Sequence, residues 1–287
     1  MTPLRKPCLK FRTLAVSVFI GALSVAPSVM SAQSPLDQAW TILRAGAEDK
    51  SIDQRVTTMR VLQLIPGNAK AVSLAEKALQ DKDPQVRGAA ALSLGAMADK
   101  SAVPPLLEVI KNDKEGAVVM AAAKALIQLG SEKGYEVFYA VITGTRKSGE
   151  GLVGSQEKEL GQLLKDPKQM EKMAFEQGMG FVPFGGIGLQ AFQKIQASKA
   201  QAPILKATSI KVLAKDPDPR SEKVIVAAIS DTQWLVKAAA YDALARRGNA
   251  AVLPNLSAGL TDERAEVKLT AAAAVVHLSA ISNDKAK

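Results

Sequence analysis

Cysteine and histidine are almost missing from this sequence: each occurs once in 287 residues. Cysteine-rich zinc sites, disulfide frameworks, and Cys-His or Ser-His-Asp catalysis therefore have almost no raw material. Aromatic residues make up 4% of a chain that is 47% hydrophobic. The core must be built mainly from Ala, Leu, Val and Ile, a profile that favours stacked helices over a sandwich or barrel. Charge of one sign is not in large excess either. Lys and Arg number 37 against 28 Asp and Glu, a formal +9, too mixed a balance for disorder of the whole chain.

The first 32 residues stand apart. Arg5, Lys6, Lys10 and Arg12 form a basic stretch, an uncharged apolar run covers 13–26, and small residues follow, the pattern of a secretory signal peptide over 1–32. The run is short of the roughly 20 apolar residues that a spanning helix needs. Cleavage after Ala32 puts Met30 three residues upstream, and cleavage after Ser31 puts Val29 there, so neither site fits the small-x-small preference well. Removing the segment takes away Cys8 and four positive charges, leaving 33 basic against 28 acidic residues. A thiol-free chain suits an oxidising compartment, and the expected location is periplasmic or extracellular.

The remaining chain repeats itself. Val236, Lys237, Ala240 and Ala243 after Asp231 recur as Val267, Lys268, Ala271 and Ala274 after Asp262, 31 positions later. Nearer the N-terminus, Asp53, Val56, Leu62 and Leu64 recur as Asp83, Val86, Leu92 and Leu94 at a spacing of 30. Within each unit apolar residues fall at helical spacing, a Gly or Pro interrupts, and a second helical run follows, so each unit reads as a helical hairpin. In the clearest copy, Asp83-Pro84 opens a helix whose apolar face is Val86, Ala89, Ala90 and Leu94, with Gly95 as the expected stop. Ala102, Val103, Leu106, Leu107 and Ile110 then form its second helix.

The run 83–95, Asp-Pro-Gln-Val-Arg-Gly-Ala-Ala-Ala-Leu-Ser-Leu-Gly, followed by Ala-Val-Pro-Pro-Leu-Leu-Glu-Val-Ile at 102–110, resembles the HEAT-like repeat of the phycobilisome-lyase type. Weaker copies cover 37–80, 115–143, 203–229, 231–260 and 262–281. Thr57 and Ala121 lie near where the pattern has Arg, and Lys237 and Lys268 replace it conservatively. The resemblance implies an all-α solenoid of helical hairpins that binds other macromolecules. Lyase activity does not follow from it, because the repeat is general scaffolding; a lyase or enzyme-accessory subunit is the competing class that the family's name suggests.

Residues 144–202 break the period between a 33–143 array and a 203–287 array. A Gly-rich charged stretch at 144–154 leads to expected helices at 155–165 and 167–177, and 177–193 carries no charge. Phe175, Met179, Phe181, Phe184 and Phe192 concentrate adaptable apolar bulk here. Packing of this segment against the two arrays is the first expectation. Contact with a partner, or peripheral membrane association through 173–193, are the alternatives, and in the partner reading these five residues form the docking site.

Signals for chemistry are thin. His277 stands alone in an apolar helix, with nothing to share a metal. Asp216-Pro217-Asp218-Pro219 is better explained as a helix start, Asp218 capping and Pro219 in the first turn, than as a calcium site. Ser155 and Lys158 have Ser-x-x-Lys spacing without its companion motifs. Basic residues around Arg146 and 165–172 are interleaved with acids, unlike a nucleic-acid stripe. Trp40 and Trp234 are expected at hairpin junctions. The expectation is an exported scaffold with no catalytic residue, metal or cofactor, holding a protein or peptide. In it, 36–45 caps one end of the stack and 267–281 the other.

Overall fold

The computed structural model describes residues 34–143 and 201–285. They form twelve α-helices and, among the described residues, no strand. The helices are α1 (Pro35–Ala47), α2 (Ile52–Leu62), α3 (Ala69–Ala78), α4 (Pro84–Ala96), α5 (Val103–Asn112), α6 (Gly116–Gln128) and α7 (Lys133–Ile142). After the interruption come α8 (Gln201–Leu213), α9 (Pro219–Ala228), α10 (Trp234–Arg247), α11 (Leu253–Leu256) and α12 (Ala265–Lys285). The signal-peptide pattern of 1–32 and the expected packing of 144–200 lie outside the described residues.

Helix starts follow local chemistry. Ser34, Ser51, Asn68, Asp83 and Asp218 each accept a backbone N–H of the first turn, satisfying donors that a helix leaves open. Asp218 with Pro219 behind it starts α9 as its sequence indicates. The stop of α4 is a correction. Gly95 lies inside the helix, and the left-handed turn falls at Ala98 (φ 57°), the position taken by Gly130 (φ 78°) after α6 and Gly248 (φ 69°) after α10. Gly95 has a different purpose: a Cβ there would lie 2.7 Å from the Ala125 Cα, so its bareness lets α4 and α6 cross closely.

The helices stack in two layers, and the order of stacking is not the order of the chain. One layer runs α8, α10, α12, α2, α4, α6, each packed on the next. The other holds α9, α11 with the Ser257–Thr261 turn, α1, α3, α5 and α7, packed across the first layer; α9, α1 and α3 each touch two consecutive helices of it, and α7 packs on α6 alone. The helix that completes α12 as a hairpin is α1, from the other end of the described chain. Gly46 marks the join: a Cβ on it would lie 2.7 Å from the Leu269 Cδ2 of α12 and would also strike the Thr58 hydroxyl of α2. One continuous hydrophobic core therefore runs from Ala39 and Leu43 through both arrays to Val276 and Leu278.

This overturns the expectation that 36–45 and 267–281 cap opposite ends. Each has a buried face on both sides, and both lie mid-stack. Among the described residues, α6 and α7 form one end of the stack and α8 and α9 the other. The reason is energetic: either terminal helix alone would leave an apolar stripe in water, and pairing them buries both. The same burial accounts for α12. By length and composition 265–284 could cross a membrane, but Val267, Leu269, Ala271 to Val276 and Leu278 are buried against neighbouring helices.

The loops between hairpins carry a repeated ion pair. Arg55 meets Asp81 at 2.8 Å and Arg87 meets Asp113 at 2.7 Å, both through two parallel N–H···O bonds. Each Arg also donates to two loop carbonyls, those of Asp49 and Lys50 or of Asp81 and Lys82. Lys206–Asp231 and Lys237–Asp262 repeat the pairing in the other array. Burial alone would raise the Asp81 and Asp113 carboxyls, but the guanidinium and a backbone N–H two residues on hold both below the usual range. The pairs also correct the register. Helix starts Ser51, Asp83 and Glu115 are 32 residues apart, so Ser51 rather than Asp53 matches Asp83. Arg55 fills the position sought near Thr57, and Val119 takes the one sought near Ala121.

Candidate docking surfaces

A solenoid offers long edges and faces rather than a single crevice. On the edge formed by the loops between hairpins, a cleft of about 430 Å³ lies between Gln80, Arg87, Glu108, Asn112 and Lys114. Its buried charges are already satisfied by the Arg87–Asp113 pair. On the opposite edge, formed by the turns within hairpins, a cleft of about 460 Å³ joins the two arrays. It is lined by Gln63, Leu64 and Pro66 at the end of α2, by Lys211, Ala214 and Lys215 at the end of α8, by Ala245 and Arg246 of α10, and by His277 of α12.

His277, unremarkable when considered alone, thus belongs to a group of basic side chains. Burial pushes its imidazole below the ordinary histidine value. Burial also pushes Lys211 down to about 8, with Asp242 opposing and Arg246 reinforcing the shift. Asp242, almost fully buried, is held by Arg246 at 2.9 Å. The signal that could have found this group was present in the sequence: Lys215, Arg246 and His277 are each 31 residues apart, the period of the repeat itself.

The other candidates have structural roles. Asp216 accepts from the Ser221 hydroxyl and the Asp218 N–H, and Asp218 from Arg220, so the pair serves the turn. Among the described residues no group of His, Cys, Asp and Glu could hold a metal. Trp40 of α1 lies beneath Lys70 at 5.8 Å and Trp234 beneath Arg264 at 4.8 Å, each at a junction between hairpins. Exposed apolar side chains gather at the stack ends: Tyr135, Tyr139 and Ile142 on α7, Leu205 and Val212 on α8, and Val224 on α9. Phe175, Met179, Phe181, Phe184 and Phe192, with Ser155 and Lys158, lie outside the described residues.

Comparison with known proteins agrees with this architecture. The profile of HEAT repeats matches residues 41–127, 71–146 and 194–276, together more than half of the chain. The chain belongs to the HEAT-repeat family. Members of this family commonly mediate protein–protein interaction. No curated protein sequence matches this HEAT-repeat chain. Among solved structures, human deoxyhypusine hydroxylase in complex with glycerol is 15% identical over 86% of this chain and 97% of its own, with a TM-score of 0.33. Two engineered proteins are 16% and 18% identical over 85% of this chain and 97% and 99% of theirs, each with a TM-score of 0.26. Likeness at this level transfers no activity.

Proposed function

We propose that the protein is a non-catalytic scaffold of the cell envelope that holds a protein or peptide along its stacked helices. The observation that carries this reading is the continuous stack itself. Six hairpins, one of them assembled from α12 and α1, stack in sequence; one core runs through them as far as α6, and a smaller cluster of Val119, Ala123 and Val137 joins α7 to it. The surface of such a stack gains affinity from many weak contacts spread over several repeats. Export is supported by the basic, apolar and small-residue pattern of 1–32. It is also compatible with the fold, since removal of 1–32 leaves Ser34 to cap α1. The phycobilisome-lyase type of the repeat rests on the motif at 83–110 and brings no activity with it.

The test combines location with contact. The full chain is expressed in an exporting bacterial host, fractionated, and its N-terminus determined; an envelope fraction beginning at residue 32 or 33 is expected. A photo-crosslinking residue is then placed at Glu108, Tyr139 or Val224, exposed on α5, α7 and α9. One partner captured from at least two of these helices supports the scaffold reading. Retention of 1–32 in the cytoplasm removes the envelope part, and the lack of any common partner removes the binding part.

A further inference from the structure

The cleft that joins the two arrays is distinguished by the arrangement of its charges. Lys215, Arg246 and His277 occupy the same register in three stacked hairpins, twelve residues after the helix starts at Trp234 and Ala265 for the latter two. The corresponding residues in the N-terminal hairpins, twelve after Ile52, Pro84 and Gly116, are Leu64, Ala96 and Gln128. The row is therefore a property of one half of the stack and not of the repeat. Basic residues at helix C-termini can simply complement the helix dipole. That does not account for His277, since α12 continues to Lys285. Nor does it account for Lys211, half-buried on the cleft wall without an ion pair among the described residues. A cation kept there costs stability, which is characteristic of a binding surface.

Helices packed side by side lie about 8–10 Å apart. An extended peptide rises about 3.3 Å per residue, so every third side chain advances by about the same distance. Beside these basic side chains, Pro66 and Ala214 give small apolar surfaces on which the stems of acidic side chains can lie. The guanidinium of Arg246 is half exposed and uses its Nε for Asp242, which leaves its outer N–H groups for a carboxylate of a ligand. We propose that the row Lys215–Arg246–His277, with Lys211 behind it, binds an extended acidic segment of a partner protein carrying carboxylates at every third residue. This deepens the scaffold reading and rests on it.

The test is fluorescence anisotropy on the full mature chain with a labelled twelve-residue peptide, Glu-Ser-Gly repeated four times, and its Gln-Ser-Gly counterpart. The Glu peptide is expected to bind at least about tenfold more tightly, with affinity falling as salt rises. Lys215→Gln, at an exposed position, should weaken it about threefold, and Lys215→Gln with Arg246→Gln about tenfold. Lys124→Gln removes the same charge from an exposed site on α6 and should change binding less than twofold. Equal binding of the Glu and Gln peptides, or an equal loss from Lys124→Gln, overturns the proposal. So does tight binding of inorganic polyphosphate through the same residues without binding of the peptide, which would assign the row to a phosphate polymer. Circular dichroism melts confirm that each variant is folded, and Lys215→Gln alone decides should the Arg246 variant not fold. Failure here with crosslinks intact on α5, α7 and α9 removes only this site; loss of those crosslinks removes the scaffold reading itself.

Discussion

The hairpin made from the two terminal helices can be tested by a double-mutant cycle between Gly46 and Leu269. A Cβ added at Gly46 would sit 2.7 Å from the Leu269 Cδ2, well inside normal contact, so either the Leu269 side chain must turn away or α1 and α12 must part. Overpacking of this kind costs about 1–3 kcal/mol, against which Ala recovers up to about 1 kcal/mol of helix propensity. Gly46→Ala should therefore lose about 1–2 kcal/mol. Leu269→Ala, at a buried site, should lose about 2–4 kcal/mol through the cavity it leaves. Together the new methyl enters the space vacated by the leucine, and the double variant should be about 1 kcal/mol more stable than the sum of the single losses. Relief is partial because the methyl still faces Thr58. Urea unfolding of the four proteins at pH 7 measures the cycle. Additivity within about 0.3 kcal/mol would mean that the residues do not touch, and the closure of the stack by its terminal helices would be refuted.

Three further outcomes are expected. Arg87→Met should cost about 3 kcal/mol, because it leaves the Asp113 carboxylate buried with side-chain exposure of 8%; Glu48→Gln, in an exposed pair with Lys77, should leave the melting temperature almost unchanged, and equal losses in thermal melts would contradict the assigned burial. Lys211 has a folded pKa lowered to about 8, so between pH 8 and 10.5 the unfolded chain holds a proton that the folded chain lacks, and this site makes stability rise with pH. Lys211→Met should be about 1 kcal/mol more stable than the parent at pH 7, and the difference should shrink by pH 10; a difference independent of pH would rule out a buried ammonium. Ala98 takes a left-handed conformation that costs a non-glycine residue about 1 kcal/mol. Ala98→Gly should therefore gain about 0.5 kcal/mol after the added freedom of the unfolded chain is counted, and a loss in urea melts would place the turn elsewhere.

Helices, hairpins and their caps were legible because each depends on residues near in sequence. Asp218 before Pro219 specifies a helix start wherever it occurs, and the 31-residue recurrence of Val236 and Lys237 specifies equivalent positions of stacked units. The register of the first units was harder to read. Apolar residues at Val56 and Val86 suggest a period of 30, whereas the Arg55–Asp81 and Arg87–Asp113 pairs impose 32. Apolar positions tolerate a small slip, while a bidentate ion pair with its carbonyl contacts does not. Gly95 was read as a stop because glycine commonly ends helices; a helix crossing uses it instead, a distinction that depends on Ala125. The basic row was hidden for another reason. His277 is uninformative alone and acquires meaning only beside Arg246 and Lys215.

By itself, the sequence determined an all-helical chain of repeated hairpins, since period, capping and composition act over tens of residues at most. Only the tertiary structure decided the order in which those hairpins stack. A repeat binds whichever neighbour best covers its apolar face, and chain order does not enter that energy. Helix α1 lies against α12 because each exposes the face that the other lacks. That pairing carries the core across the two chain ends and brings Gln63 and Leu64 beside Lys211 and His277. The cleft between the arrays therefore exists only in the folded chain.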